Sequence, residues 1–228
     1  MDMLMDHAFW IGLMKIIWIN IILSGDNAVV IALAARSLPE HQQKKAILFG
    51  SGAAVVLRIA LTLVAAMLLQ LPYLQVVGGL LLLYIGVQLL SEEDDGEGEA
   101  KENGGLMAAI RTILIADLVM SLDNVIAVAA AAKGNDVLLL LGLAISIPLV
   151  IFGSTLMIKL MERFPIIVVL GAALIGWVGG ETIASDVAFK EFAEANHWLH
   201  YAAAAVGAVL VVLTGKFLQK RHSHPSAT

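Results

Sequence analysis

Residues 24–36 read SGDNAVVIALAAR, and residues 121–133 read SLDNVIAVAAAAK. Each copy sets an Asp–Asn pair inside a long apolar run. A carboxylate at the centre of a membrane helix costs on the order of 3 kcal/mol on insertion scales, so it faces a cavity or a partner. The chain does this twice, at Asp26 and Asp123, and apolar packing supplies no reason for it.

The surroundings are apolar along the whole length. Of 228 residues, 60% are hydrophobic, and the mean hydropathy is +0.89. Runs of about 20 apolar residues recur, which is the length a helix needs to cross a bilayer. The sequence predicts an all-α polytopic membrane protein, a single transmembrane domain over 1–228. Seven transmembrane helices are expected near 9–34, 46–70, 72–90, 106–132, 136–158, 165–185 and 198–217. Leu71-Pro72 and Phe164-Pro165 separate neighbouring spans, because proline suits a first helical turn and biases its predecessor away from helix. Asp2 and Asp6 stand where a signal peptide carries Lys or Arg, so the N-terminus reads as an uncleaved first span. With no cysteine, disulfides, iron–sulfur clusters and thiolate metal sites are excluded. No basic stripe with interleaved aromatics points to nucleic acid.

The repeat reaches beyond the quoted stretches. Asn20, Ser24, Asp26, Asn27 and Arg36 match Asp117, Ser121, Asp123, Asn124 and Lys133, all 97 positions later. Pro72, Gly78, Tyr84, Gly86 and Gln88 match Pro165, Gly171, Trp177, Gly179 and Glu181, now 93 positions later. Repeat 1 covers 8–92, an acidic linker covers 91–105, repeat 2 covers 106–186, and the helix at 198–217 is an addition. Three spans per repeat is an odd number, so the second copy enters the membrane from the opposite side. That is the inverted-repeat plan in which a substrate site lies near the midplane. Arg36, Lys44, Lys45, Lys101, Arg111, Lys159, Arg163, Lys216, Lys220 and Arg221 fall on one side, against Lys133 and Lys190 on the other. The positive-inside rule then puts the N-terminus outside and the C-terminus in the cytoplasm.

Asp26, Asp117 and Asp123 are the intramembrane acids, with Asn27 and Asn124 as neighbouring carbonyl oxygens. Asp117, Ser121 and Asn124 share a helical face, as do Asn20, Ser24 and Asn27. Gly25 could loosen the first helix and turn Asp26 inward. Arg58 sits centrally in the second span. It reads as a structural counter-ion, with Asp26 and Asp123 the nearest partners by depth, or else as a charge that repels a bound cation to speed release. Three carboxylates against one guanidinium leave a formal −2, which a divalent cation would cancel. An all-oxygen donor set suits Mg²⁺, Ca²⁺ or Mn²⁺ over Zn²⁺ or Cu⁺. Glu181, at the outer end of the sixth span, is a candidate entry or exit ligand or an interface anchor. The run SEEDDGEGEAKENGG at 91–105 reads as a solvated linker or a weak cytoplasmic cation collector.

The doubled motif, with Asp117 ahead of its second copy, Arg58 in VVLRIAL and the segment IGWVGGETIASD, resembles the TerC family of integral membrane proteins, especially its short YjbE-like branch. The family's three-plus-three layout is similar to that of the lysine-exporter superfamily. The resemblance implies manganese export, manganese-responsive control in bacteria, and residence in the bacterial inner (plasma) membrane. It also selects Mn²⁺ among the hard cations, as a transported substrate. The expected function is a divalent cation exporter working by alternating access, its metal held between the first and fourth spans. Proton exchange on a carboxylate is one coupling such a site would allow. A membrane assembly or metal-delivery factor and a lysine-exporter-like amino-acid carrier remain open. No enzyme is expected: an intramembrane aspartyl protease would need a Gly-x-Gly-Asp pattern, and Leu23 precedes Ser24 here.

The charge bias has a direct check in a chain without native cysteine. A Cys at Glu97 should resist impermeant reagents added outside intact cells, and one between 187 and 197 should react with them; the reverse result overturns the orientation.

Overall fold

In lipid there is no water to bond a bare backbone, so an apolar chain satisfies its N–H and C=O groups by forming helix. The computed structural model describes residues 10–11, 13–15, 17–18, 25–91, 104–132 and 136–222 and has no strand among them. Its helices are α1 (Gly25–Ala35), α2 (Glu40–Leu68), α3 (Leu74–Ser91), α4 (Gly104–Ala132), α5 (Asp136–Arg163) and α6 (Ile166–Ala184). A 3₁₀ turn (Val187–Phe189) and the short α7 (Lys190–Ala195) then lead into α8 (Trp198–His222). Among the described residues, five helices are long and apolar enough to cross a membrane: Glu40–Thr62, Leu74–Ser91, Gly105–Leu122, Ile166–Ala184 and Trp198–Arg221. The chain is thus an all-helical, polytopic membrane protein.

The second span begins at Glu40 rather than near 46 because its first turn is polar and still helical. The Pro39 carbonyl accepts from the N–H groups of Gln42 at 2.8 Å and Gln43 at 2.9 Å. The Gln43 amide donates back to the carbonyls of Arg36 at 3.2 Å and Leu38 at 2.9 Å, closing the α1–α2 turn. Arg36 donates to the Leu89 carbonyl at 2.8 Å, a cation at the C-terminal end of α3 where the helix dipole favours it.

Two sets of helices pack most closely. The first is α3, α6 and α8, held by small residues that let backbones approach. A side chain on Gly176 would meet the Gly207 carbonyl, and one on Gly180 would meet that of Ala203. Gly79 of α3 is pressed in the same way against Gly179 of α6. The pairs 176/207 and 180/203 make α6 antiparallel to α8. The pairs Gly86/Val211 and Leu90/Gly215 make α3 parallel to α8. The second set is α1, α2, α4 and α5. Gly50 lies against Ile113, and Leu61 clusters with Leu122, so α2 and α4 run parallel. The two sets meet where Gly78 of α3 receives Val119 of α4, and where Gly171 of α6 receives Val29 and Leu33 of α1.

A buried carboxylate fastens one end of the first set. Asp186, with no exposed surface, accepts from the backbone N–H groups of Tyr73 at 2.9 Å, Gln75 at 3.0 Å and Val76 at 3.2 Å. It also caps its own 3₁₀ turn through Ala188 N–H at 2.8 Å. The loop after α6 is thereby tied to the first turn of α3. Tyr73 has φ 66°, a left-handed conformation that costs an ordinary residue about 1–2 kcal/mol and is held here by the Asp186 bond. Burial pushes the Asp186 carboxyl up, and the N–H groups of Ala188, Tyr73, Val76 and Gln75 outweigh it, holding the carboxyl below its ordinary value of 3.8.

A depressed carboxyl adds stability that is complete above the unfolded value and is lost as pH falls through the folded one. Asp186→Asn should therefore lower the stability of the detergent-purified protein by about 1–3 kcal/mol at neutral pH. The gap from wild type should close as pH drops below 3.8. Thermal unfolding at several pH values measures it, and a gap that stays constant down to strong acid contradicts the clamp.

Candidate functional site

The parallel packing of α2 on α4 brings a charged residue of each into the apolar interior. Arg58 Nη2 donates to Asp117 Oδ1 at 2.5 Å. Arg58 Nε donates to Ser121 Oγ at 2.9 Å, and Ser121 Oγ donates to Asp117 Oδ2 at 3.2 Å. The ring closes because Asp117 and Ser121 are one helical turn apart and the planar guanidinium offers two parallel donors. Arg58 and Asp117 are each 5% exposed and Ser121 is fully buried. Asp117 meets the expected counter-ion role of Arg58, Asp26 makes no bond to the guanidinium, and the side chain of Asp123 lies outside the described residues. Helix-to-helix packing and the four-residue spacing of Asp117 and Ser121 bring these groups together.

Asp26 stands in the first turn of α1, half-buried, with its Oδ1 accepting from the Asn27 N–H at 2.8 Å. It lies within electrostatic range of both Arg58 and Asp117 without bonding to either side chain. Asn27 is the more deeply placed of the two, at 3% exposed, and lines a recess beside the ion pair together with Ser51, Arg58 and Asp117. The structure thus brings together Asn27, Arg58, Asp117 and Ser121, with Asp26 close by. Asp123 and Asn124 fall on the helical backbone of α4, but their side chains lie outside the described residues, as do Asn20, Ser24 and most of the acidic linker. Glu181 is on the exposed side of α6.

Two residues escaped the sequence reading. Asp186 carried a usable signal, an acid just after a helix and just before an apolar turn, the position of an N-cap. Its reach to Tyr73 did not, since 113 residues separate them. Ser51 gave no signal, because a lone serine in an apolar helix usually bonds its own backbone.

A family model for the integral membrane protein TerC family matches residues 5–223. The chain belongs to the TerC family. It is 48% identical over 182 residues to the uncharacterized membrane protein YjbE of Bacillus subtilis, covering 80% of this chain and 83% of that one. It is 26% identical to the uncharacterized membrane protein YkoY of the same organism, spanning 84% of this chain and 65% of the relative. It is also 26% identical to the UPF0053 inner membrane protein YoaE of Escherichia coli, spanning 83% of this chain and only 40% of the relative. No solved structure matches the chain.

Removing one partner of a buried ion pair typically costs about 3–5 kcal/mol, whereas replacing both with apolar groups is often neutral. Arg58→Met and Asp117→Leu should each destabilise the protein by about that amount, and the double variant should recover most of it. Unfolding in mixed micelles reads the cycle; additive losses would show that the two charges do not support one another.

Proposed function

We propose that the chain is a divalent cation exporter, with Mn²⁺ as its substrate, working by alternating access in the bacterial inner membrane. The observation that carries this reading is the Arg58–Asp117–Ser121 ring, a charge pair closed by three hydrogen bonds inside an apolar bundle. Intramembrane ionisable groups are costly and mark ion pathways. Asp26 and Asp123 supply the charge that Arg58 does not neutralise, and Asn27 and Asn124 add carbonyl oxygens. Such a donor set holds a hard cation. Asp117 joins the set when Arg58 leaves it. The site needs no resident cofactor and performs no covalent chemistry, so the protein is a carrier and not an enzyme. A carboxylate released by the metal takes a proton, which couples export to proton entry.

Seven spans in two inverted repeats provide the two-sided access this requires, with the N-terminus outside and the C-terminus in the cytoplasm. The packing supports that plan. Repeat exchange swaps the second span with the fifth and the fourth with the first, and α2 packs on α4 as α5 packs on α1. Gly78 and Gly171, matched in the repeat, each receive a residue from the leading helix of the opposite repeat. Basic residues Arg36, Lys44 and Lys45 gather at the end where α1 hands over to α2.

Proteoliposomes containing only this protein should move Mn²⁺, with no competition from lysine. Asp26→Asn and Asp123→Asn should abolish the flux while the protein still inserts, and Ser121→Ala should slow it less. Wild-type flux in correctly inserted Asp123→Asn protein sinks the site assignment. No flux from the unaltered chain points to metal delivery or assembly, and lysine competition points to an amino-acid carrier.

A further inference from the structure

The recess beside the ion pair is walled by Asn27 and Ile31 of α1, Ser51 and Val55 of α2, and Val150 of α5. Ser51 is 2% exposed, and its hydroxyl has no hydrogen-bond partner among the described residues. A buried helical serine ordinarily returns its proton to the carbonyl four residues back, as Ser154 does to Val150 at 2.7 Å. The Ser51 hydroxyl makes no such bond to the carbonyl of Ile47. A buried polar atom without a partner calls for a group that visits it.

Arg58 is placed to be that group. It lies seven residues after Ser51, on the same face two turns away, a rise of about 10.5 Å. Helical side chains lean toward the N-terminal end of their helix, which here is the direction of Ser51. An extended arginine covers most of that distance, and Arg58 already borders the same recess. Asp117, for its part, has both oxygens engaged: Oδ1 by Arg58 and Oδ2 by Ser121. A metal that takes this carboxylate competes with the guanidinium for the same negative charge.

We propose that Arg58 is a tethered competitor for the transported cation: it occupies Asp117 in the empty carrier and, when a divalent cation takes that carboxylate, swings along α2 into the recess, where Ser51 accepts its hydrogen bond. The proposal rests on the cation-transport reading. It gives Asp117 one positive partner in each state, so the carboxylate is never left bare in the apolar interior. The return of the guanidinium also drives the metal off, which favours release over retention. Ser51 acts as a positioning residue that holds the displaced guanidinium and does not touch the metal.

The test is Mn²⁺ binding to the purified full chain in detergent, read by the electron paramagnetic resonance of free Mn²⁺ at mildly alkaline pH, with flux in proteoliposomes alongside. Arg58→Gln should bind about tenfold tighter or more, the order expected when a competitor worth about 1.4 kcal/mol is removed, and should turn over more slowly. Arg58→Lys keeps the charge needed for folding but loses the two-donor fork, and should bind a few-fold tighter. Ser51→Ala should weaken binding a few-fold in the wild-type background and have no effect in the Arg58→Gln background. Unchanged or weaker binding in both Arg58 variants overturns the proposal, as does a Ser51→Ala effect of equal size in the two backgrounds. If the unaltered protein neither binds nor moves Mn²⁺, the transport reading itself falls.

Discussion

A guanidinium and a carboxylate in the interior of an apolar bundle impose a condition on everything around them. Apart from each other, Arg58 and Asp117 would each cost several kcal/mol in a medium that cannot solvate charge. Together, and with Ser121 closing the ring, their strongest donors and acceptors are met. The register of α2 against α4 is therefore fixed: a shift of one residue would turn Arg58 about 100° away from its partner. Gly50 against Ile113 and Leu61 beside Leu122 fit that same register on either side of the pair. Apolar packing alone would tolerate several registers, because one Leu or Val contact in lipid is nearly as good as another.

The two sets of helices are held by different physics. In α3, α6 and α8 the contact is backbone on backbone, through Gly79, Gly176, Gly179, Gly180 and Gly207. Such contacts are short, apolar and intolerant of added volume, and Asp186 reinforces them at one end with four backbone hydrogen bonds. In α1, α2, α4 and α5 the centre is polar, with Asn27, Ser51, Arg58, Asp117 and Ser121 buried near one another. A glycine-packed frame beside a polar centre is the division of labour that the proposed alternating-access carrier would use. The seams between the sets seat Val119 over Gly78, and Val29 and Leu33 over Gly171.

Membership of the TerC family narrows the reading without completing it, since the relatives YjbE and YkoY are described only as membrane proteins. The chemistry has to come from the site. An exporter must bind its ion on one side and lose it on the other, so a site that is only attractive would trap a divalent cation. In the proposed exporter, Arg58 reclaiming Asp117 would supply the missing repulsion, and the recess at Ser51, whose hydroxyl has no partner among the described residues, would receive it between turns.

The sequence by itself determined that this chain is a bundle of membrane helices, because hydropathy is a property of composition and spacing and needs no contact map. It marked most span ends to within a few residues and picked out Asp26, Asn27, Arg58, Asp117 and Ser121, because polar residues in apolar runs stand out one by one. Asp117 and Ser121 on one face followed from helical periodicity alone. Only the tertiary structure decided that Arg58 would meet Asp117, since that depends on which helix lies beside α2 and at what register. It also decided that Asp186 would clamp a turn 113 residues earlier, and that Ser51, unremarkable in a line of small residues, would face the ion pair with an empty hydroxyl. The reason is common to all three. Periodicity fixes which residues share a face of one helix, whereas the choice of partner across helices is made by close packing of many weak contacts at once, and that sum is not written in any one segment.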